Sequence, residues 1–169
     1  MAKTIEFKGA AGAFFRWLDI ILKTLVVIGN GLMLLLVFVQ VITRYVFNYT
    51  PSFGEELARY LFVWVVFLSL PLVARYGGHM AIETLTSRVK GGTLKFLNIC
   101  ADIFTIAFMG IMVWYGALMV MRTSYQTSPA MMIPMSWVYI VIPFGSGVML
   151  IYALANLIDV LRTPADEIK

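Results

Sequence analysis

Residue types that usually carry out enzyme chemistry are scarce in this sequence. It contains one histidine, His79, and one cysteine, Cys100, so it offers neither a paired-histidine haem site nor an internal disulfide. A zinc site needs a cluster of histidine or cysteine ligands, which the sequence lacks. Ser69 and Ser146 have no histidine base expected at the same depth in the membrane. We therefore predict a protein that is not an enzyme and binds no cofactor or metal.

Asp102 is the one carboxylate that lies well inside a long apolar run. An ionisable side chain within a membrane helix is a candidate functional site. Asp102 follows Phe96 by six residues, roughly 9 Å along a helix, which is within reach of the headgroup region, and Lys95, Asn98 or the 75–90 loop could satisfy it. We interpret Asp102 as a structural or subunit-contact residue and keep an ion-coupling role as the alternative. His79 has no second histidine as a partner, which favours an interfacial or capping role over proton transfer.

A second group of charged residues flanks a short polar connection at about residues 45–53: Arg44, Glu55, Glu56 and Arg59. Ser52 and Glu55 have the spacing of a capping box at the start of a helix, and Pro51 offers a competing first position. Glu55 and Arg59 are four residues apart, on one helix face and in the favourable order. These residues either cap and anchor a helical hairpin or mark a functional contact.

The rest of the sequence is typical of an integral membrane protein. Of its 169 residues, 61% are hydrophobic and 13% are charged. Four runs carry no charge, and they contain 20, 15, 19 and 36 residues: 24–43, 60–74, 103–121 and 123–158. A helix that spans a bilayer needs about 20 mostly apolar residues. We predict an all-α membrane protein that forms a single domain over residues 1–169, with four transmembrane helices at about 20–43, 53–74, 96–121 and 137–158.

Basic residues are distributed unevenly between the predicted connections. Ten of the 13 Lys and Arg residues lie in the N-terminal segment, the 75–95 connection or the C-terminal tail, and three lie on the opposite side: Arg44, Arg59 and Arg122. Because basic residues concentrate on the cytoplasmic side of membrane proteins, we predict that both termini are cytoplasmic. The connections near 45–53 and 122–136 then face outward.

Two further segments have predicted structural roles. Residues 1–19 place apolar residues on one helical face and basic residues off it, which favours an amphipathic helix lying in the cytoplasmic interface. Gly29, Asn30 and Gly31 lie near the middle of the first predicted helix. Small residues allow another helix to approach closely, and an asparagine can hydrogen-bond across such a contact. We interpret these three residues as a packing seam rather than a transport site.

The order of motifs resembles that of the small membrane subunit (the Q, or DctQ-type, subunit) of TRAP transporters, the tripartite ATP-independent periplasmic carriers. The resemblance covers most of residues 40–150 and rests on an ordered set: Arg44, Tyr45 and Phe47; Glu55, Glu56, Leu57, Arg59, Trp64 and Phe67; Arg75, Gly78, His79 and Glu83; then Pro134, Tyr139, Pro143, Gly145 and Gly147. Two positions depart from the usual pattern. Ser69 stands where the family often has a glycine-like residue, and Pro71 lies inside the second helix.

The resemblance implies a role for the chain and a set of partners. In this family a periplasmic binding protein delivers an organic anion, such as a dicarboxylate, sialic acid or another sugar acid, to a complex in the bacterial inner membrane. The large M subunit carries the substrate and sodium sites and moves as an elevator, and the small subunit is its non-catalytic scaffold. Nucleic acid is not an expected partner. Candidate interface or structural residues are Arg44, Tyr45, Glu55, Glu56, Arg59, Trp64, His79, Asp102, Pro134 and Pro143.

An independent small transporter that acts as a homodimer is the alternative hypothesis, with Asp102 as its coupling site. Small multidrug antiporters rely on a glutamate in their first helix, but the first helix predicted here has no acidic residue after Asp19. A carrier should also show a polar site at mid-membrane between broken helices. Buried polar candidates are sparse in this sequence and aromatic residues are plentiful, with 12 Phe, 8 Tyr and 4 Trp. That composition favours helix and subunit contacts.

Overall fold

A computed structural model describes residues 10–49, 51–76 and 92–162. In these residues the chain forms five helices: α1 (Ala10–Val46), α2 (Ser52–Tyr76), α3 (Gly92–Arg122), α4 (Met135–Tyr139) and α5 (Val141–Arg162). Four segments are long and apolar enough to cross a membrane: Phe15–Val46, Ser52–Ala74, Lys95–Arg122 and Met135–Leu161. The last is formed by α4 and α5 together. The predicted all-α architecture with four spanning helices is therefore confirmed.

The first helix is longer than the sequence pattern predicts. Residues 10–19 were expected to lie in a separate interfacial helix, but they continue without a break into the 37-residue α1. The reason is tertiary packing, because Asp19 and Leu22 are 2% and 1% exposed inside the bundle. Residues 1–9 of the expected amphipathic segment lie outside the described residues, as does His79.

The chain reverses direction between α1 and α2 within a few residues. Asn48 has a positive φ of 49°, a conformation that asparagine tolerates at a helix C-terminus, and the N–H of Tyr49 donates to the carbonyl of Thr43 (3.2 Å). The expected capping box is not the arrangement found. α2 begins at Ser52 itself, so Pro51 precedes the helix and its carbonyl accepts the N–H of Gly54 (3.1 Å).

α1 packs against the bundle along a narrow seam. Between residues 20 and 46, only seven residues are buried or half-buried: Leu22, Val26, Gly29, Met33, Leu36, Gln40 and Thr43. They alternate in steps of four and three, which is the spacing of a helix that meets one neighbouring helix. That neighbour is α2, and a Cβ at Gly29 would lie 2.8 Å from a methyl group of Val65. The expected packing seam thus includes Gly29, whereas Asn30 and Gly31 are exposed.

α5 occupies the centre of the bundle, with α2 and α3 packed against it. The apolar core contains buried residues from α1, α2 and α5: Leu22, Leu68, Val141, Val148 and Tyr152. The ring of Phe15 packs on the ring of Tyr152 with centroids 5.1 Å apart. This contact brings the start of α1 to the last turns of α5.

Pro71 and Gly145 explain how α2 and α5 come so close. Pro71 has no N–H, so the carbonyl of Phe67 one turn earlier loses its usual helical donor. A Cβ on Gly145 would overlap that carbonyl oxygen. The freed carbonyl therefore lies against the bare backbone of α5, an arrangement in which a Cα–H can act as a weak donor. α2 continues through Pro71 to Tyr76, and Gly145 provides the space for it.

The bundle has two ends that differ in their polar contacts. We use "loop end" for the end that carries the α1–α2 and α3–α4 connections, and "terminal end" for the end where α1 begins and α5 finishes.

Candidate functional site

At the loop end, the carboxylate of Glu56 holds the connection between α3 and α4. Its Oε2 accepts the backbone N–H groups of Ala130 (3.0 Å) and Met131 (2.9 Å). Its Oε1 accepts the hydroxyl proton of Tyr60, one turn further along α2. The Tyr60 hydroxyl also lies 3.4 Å from the sulfur of Met135. We call these five residues the Glu56 clasp.

The α3–α4 connection is tightly folded in the region that the clasp holds. Ser128 donates its N–H to the carbonyl of Ile133 (2.9 Å) and accepts the N–H of Met132 at its own carbonyl (3.1 Å). Met132 has a φ of 56°, in the left-handed region. Thr127 and Pro134 pair across the base of the turn. These bonds pair much of the backbone internally, and Glu56 supplies the acceptor for two further N–H groups.

The Glu56 clasp has a structural role rather than a catalytic one. A carboxylate in the first turns of α2 complements the positive end of the helix dipole. Hydrogen bonds from neutral donors to an ionised acceptor are stronger than bonds between neutral groups. Both oxygens of Glu56 are engaged. The arrangement therefore fixes the shape of the loop-end surface and does not present a free catalytic base.

At the terminal end, two carboxylates are buried and hydrogen-bonded to one face of α5. The hydroxyl of Tyr152 donates to Oδ1 of Asp19 on α1 (2.7 Å). The amide of Asn156 lies within 3.0 and 2.9 Å of the two oxygens of Asp102 on α3. Asp102 is 1% exposed. α5 is thereby tied to α1 and to α3 by side chains that are one turn apart; we call these four residues the terminal polar layer.

The positions of polar residues along the sequence contained a signal for this layer that single motifs do not show. Helices α1 and α3 run from the terminal end, so acidic residues early in each lie at the same depth. α5 runs towards that end, so its last turns reach the same depth. Tyr152 and Asn156 are four residues apart and share one helix face. Lys95, Asn98 and the 75–90 loop were named as possible partners of Asp102. The structure adds Asn156, and residues 77–90 of that loop lie outside the described residues.

Several predicted site residues lie apart from both polar clusters. Arg44 and Tyr45 are exposed at the end of α1, and Tyr45 retains 78% of its accessible surface. Glu55 and Arg59 are also exposed, and no ion pair joins them in the described structure. Trp64 is 36% exposed on α2. The structure thus brings Glu56, but not the neighbouring charged residues, into a polar network.

The two predicted prolines shape the backbone near the loop end. Pro134 precedes α4 with a φ of −61°. Pro143 lies in the first turn of α5, where proline is tolerated, and packs against α3: a Cβ on Gly116 would lie 3.1 Å from its ring. Over residues 10–49, 51–76 and 92–162, His, Cys, Asp and Glu side chains form no group of three that could hold a metal ion.

Comparison of the sequence with known proteins identifies its family. Residues 33–163 match the family described as tripartite ATP-independent periplasmic transporters, DctQ component. A Haemophilus influenzae protein assigned as a TRAP transporter small permease protein is 31% identical over 126 residues, which are 74% of this chain and 76% of that protein. The C4-dicarboxylate TRAP transporter small permease protein DctQ of Rhodobacter capsulatus is 32% identical over 98 residues, or 57% of this chain and 43% of that protein.

A longer relative matches nearly the whole chain. The isethionate TRAP transporter permease protein DctMQ of Oleidesulfovibrio alaskensis is 27% identical over 158 residues. The match takes in 86% of this chain but 24% of that protein, so this chain spans about a quarter of its length. The family match covers well over half of the present sequence. The chain therefore belongs to the DctQ family, the small permease components of TRAP transporters.

Proposed function

We propose that this chain is the non-catalytic scaffold subunit of a TRAP transporter and binds a large, elevator-type M subunit. The observation that carries the proposal is the match to DctMQ, in which a region similar to this chain forms part of a much longer permease protein. A region that is fused to a larger permease in one protein is expected to bind that permease as a separate subunit in another. The large subunit carries the substrate and sodium sites, and this chain provides a fixed wall in the bacterial inner membrane.

The two polar clusters suit a rigid scaffold. In each cluster, carboxylates accept hydrogen bonds from another element of the bundle. At the terminal end the buried Asp102 is held by Asn156, which supports a structural role over ion coupling. The independent homodimeric transporter, with Asp102 as coupling site, is therefore the weaker candidate.

The loop end is the surface that faces the periplasm under the predicted orientation. The Glu56 clasp would set the shape of that surface, and a periplasmic binding protein that delivers the substrate would approach it. Arg44, Tyr45, Glu55 and Arg59 lie exposed around it. We assign these residues, together with His79, Trp64, Pro134 and Pro143, to the subunit itself or to its junction with the partners.

The transported substrate is an organic anion whose identity is selected on other chains. Two relatives are named for different substrates, isethionate and C4-dicarboxylate, so membership of the family leaves the substrate open. Dicarboxylates, sialic acid and other sugar acids are all compatible with the proposed scaffold.

Co-purification tests this function directly. We would tag this chain, extract it from its native membrane in mild detergent and identify by mass spectrometry the proteins that accompany it. We expect a much larger polytopic permease in equal amount. Liposomes with both membrane subunits, the binding protein and a sodium gradient should take up substrate, and liposomes with this chain alone should not. If this chain alone takes up substrate and Asp102→Asn abolishes that uptake, the chain is the independent homodimeric transporter instead.

A further inference from the structure

Asn30 is an exposed amide at the middle of the first membrane span. It lies midway along Phe15–Val46, about 22 Å from either end at the rise of an α-helix. Its side chain points out of the bundle and has no hydrogen bond to another described residue. An amide without hydrogen-bond partners is costly in hydrocarbon. Thr24, which is exposed on the same helix, avoids this cost by bonding to the carbonyl of Ile20 (2.8 Å).

Beside Asn30 the surface of α1 has a shallow depression. A shallow apolar groove is lined by Gly31, Leu34, Leu35 and Phe38. A Cβ added at Gly31 would meet no atom within 4 Å, so this glycine is not required by packing within the chain. A small residue next to an amide on an open helix face suits close approach of a second membrane helix.

The exposed face of α3 provides a contrast. Its outward residues are apolar or aromatic and include Phe104, Phe108, Ile111 and Trp114. Phe104, Phe108 and Ile111 have no polar side-chain atom, so they are compatible with lipid and need no hydrogen-bond partner in the membrane core. Trp114 adds one indole N–H on a largely apolar ring. Of the two open faces, therefore, only that of α1 combines an uncompensated amide with a groove.

We propose that the face of α1 centred on Asn30 and Gly31 is the docking site for a transmembrane helix of the large permease subunit. This inference rests on the proposed function and adds the location of the contact. The match to DctMQ places one region like this chain in a polypeptide about four times as long, which favours a large partner over a second copy. The contacts of α1 with α5 lie near the start of α1, at Phe15 and Asp19. Around residue 30 α1 packs on α2 through Gly29, so its opposite face there is open to receive the helix.

Photo-crosslinking in the native membrane tests the location of the contact directly. Benzoylphenylalanine is placed at position 34 of the full chain, co-expressed with the large permease. The matched control places it at position 114, since Leu34 and Trp114 are both 72% exposed. We expect a crosslink to the large permease from position 34 and none from position 114. The proposal is overturned if position 34 crosslinks to a second copy of this chain or only to lipid. It is also overturned if the large permease crosslinks from position 114 and not from position 34.

Two glycine substitutions test the contact itself. Gly31→Leu fills the groove, and Gly110→Leu on α3 is its control because a Cβ there also meets no atom within 4 Å. We expect Gly31→Leu to reduce the co-purified large permease roughly tenfold and Gly110→Leu to leave it unchanged. The thermal midpoint of each purified variant should match that of the unsubstituted chain, which separates lost docking from misfolding.

The outcomes also distinguish this inference from the proposed function. If the large permease co-purifies equally with both leucine variants, the docking face is wrong and the scaffold function stands. If no large permease accompanies the unsubstituted chain, the proposed function fails first. Asn30→Leu provides a second variant, and undiminished co-purification with it would show that the amide has no partner in the large subunit.

Discussion

The two ends of the bundle use carboxylates for different purposes. At the loop end, Glu56 accepts backbone N–H groups, so it holds a stretch of main chain in place. At the terminal end, Asp19 and Asp102 accept bonds from side chains of α5, so they hold helices to one another. Damage at the loop end should therefore change the shape of a surface, and damage at the terminal end should loosen the bundle.

The largest effect is expected between the two ends of the bundle, at Gly145, where α5 packs against the backbone of α2. Gly145→Ala places a methyl group on the carbonyl oxygen of Phe67, and rigid backbone cannot move aside as a side chain can. We expect a loss of about 3 kcal/mol in unfolding free energy and weakening at both ends together. Thermal unfolding followed by tryptophan fluorescence measures it.

Gly147→Ala is the control for that substitution, since its Cβ would make an ordinary contact of 3.9 Å with Val113. Equal midpoints for the two alanine variants would show that α2 and α5 can separate without cost. The two ends would then be independent.

At the terminal end, Asn156→Leu should be the next most damaging change. It removes the amide that bonds both oxygens of Asp102 and leaves a buried carboxylate less well satisfied, at a cost of about 2 kcal/mol. A lower thermal midpoint of the purified subunit is the readout. Asn30→Leu is the matched control, because it removes an exposed amide and should not destabilise the isolated chain. An unchanged midpoint for Asn156→Leu would contradict the structural role of the layer.

At the loop end, Glu56→Ala should act locally. It deprives two backbone N–H groups of their acceptor, and we expect amide hydrogen exchange at Ala130 and Met131 to become roughly tenfold faster. The unfolding midpoint should fall less than in Asn156→Leu, and association with the partner subunits should weaken. Glu55→Ala is the control, since that carboxylate is exposed. Unaltered exchange in Glu56→Ala, with wild-type assembly and transport, would refute the role of the clasp.

The smallest effect is expected for Tyr152→Phe. The phenylalanine keeps the ring contact with Phe15 and loses only the hydroxyl bond to Asp19, which is worth about 1 kcal/mol. Tyr115→Phe on the exposed face of α3 should change nothing. A double substitution with Asn156→Leu would show whether the two halves of the layer act together, because coupled sites deviate from additivity.

The helices were predictable from the sequence, but the contacts between them were not. Charged residues mark where each apolar segment meets the membrane surface, so the four spans followed from their positions. Asp102 was recognised as unusual for its place in an apolar run, yet its partner Asn156 depends on which faces of α3 and α5 meet. Single-helix patterns do not contain that information.

Local rules also failed to give the start of α2 or the role of Pro71. Ser52 and Glu55 have the spacing of a capping box, but α2 begins at Ser52. Pro71 was noted as a departure from the family pattern, and its significance became clear only beside Gly145 on another helix. The roles of the exposed charged residues at the loop end stay predictions, because they depend on partner chains.

The Glu56 clasp has a consequence for how the loop-end surface can change during evolution. The carboxylate recognises peptide N–H groups, which every amino acid except proline supplies. The side chains of Ala130 and Met131 could therefore be exchanged for others while the backbone keeps its course. A family whose members are named for different substrates could in this way vary the side chains of this surface, residue by residue, without redesigning the helices beneath it.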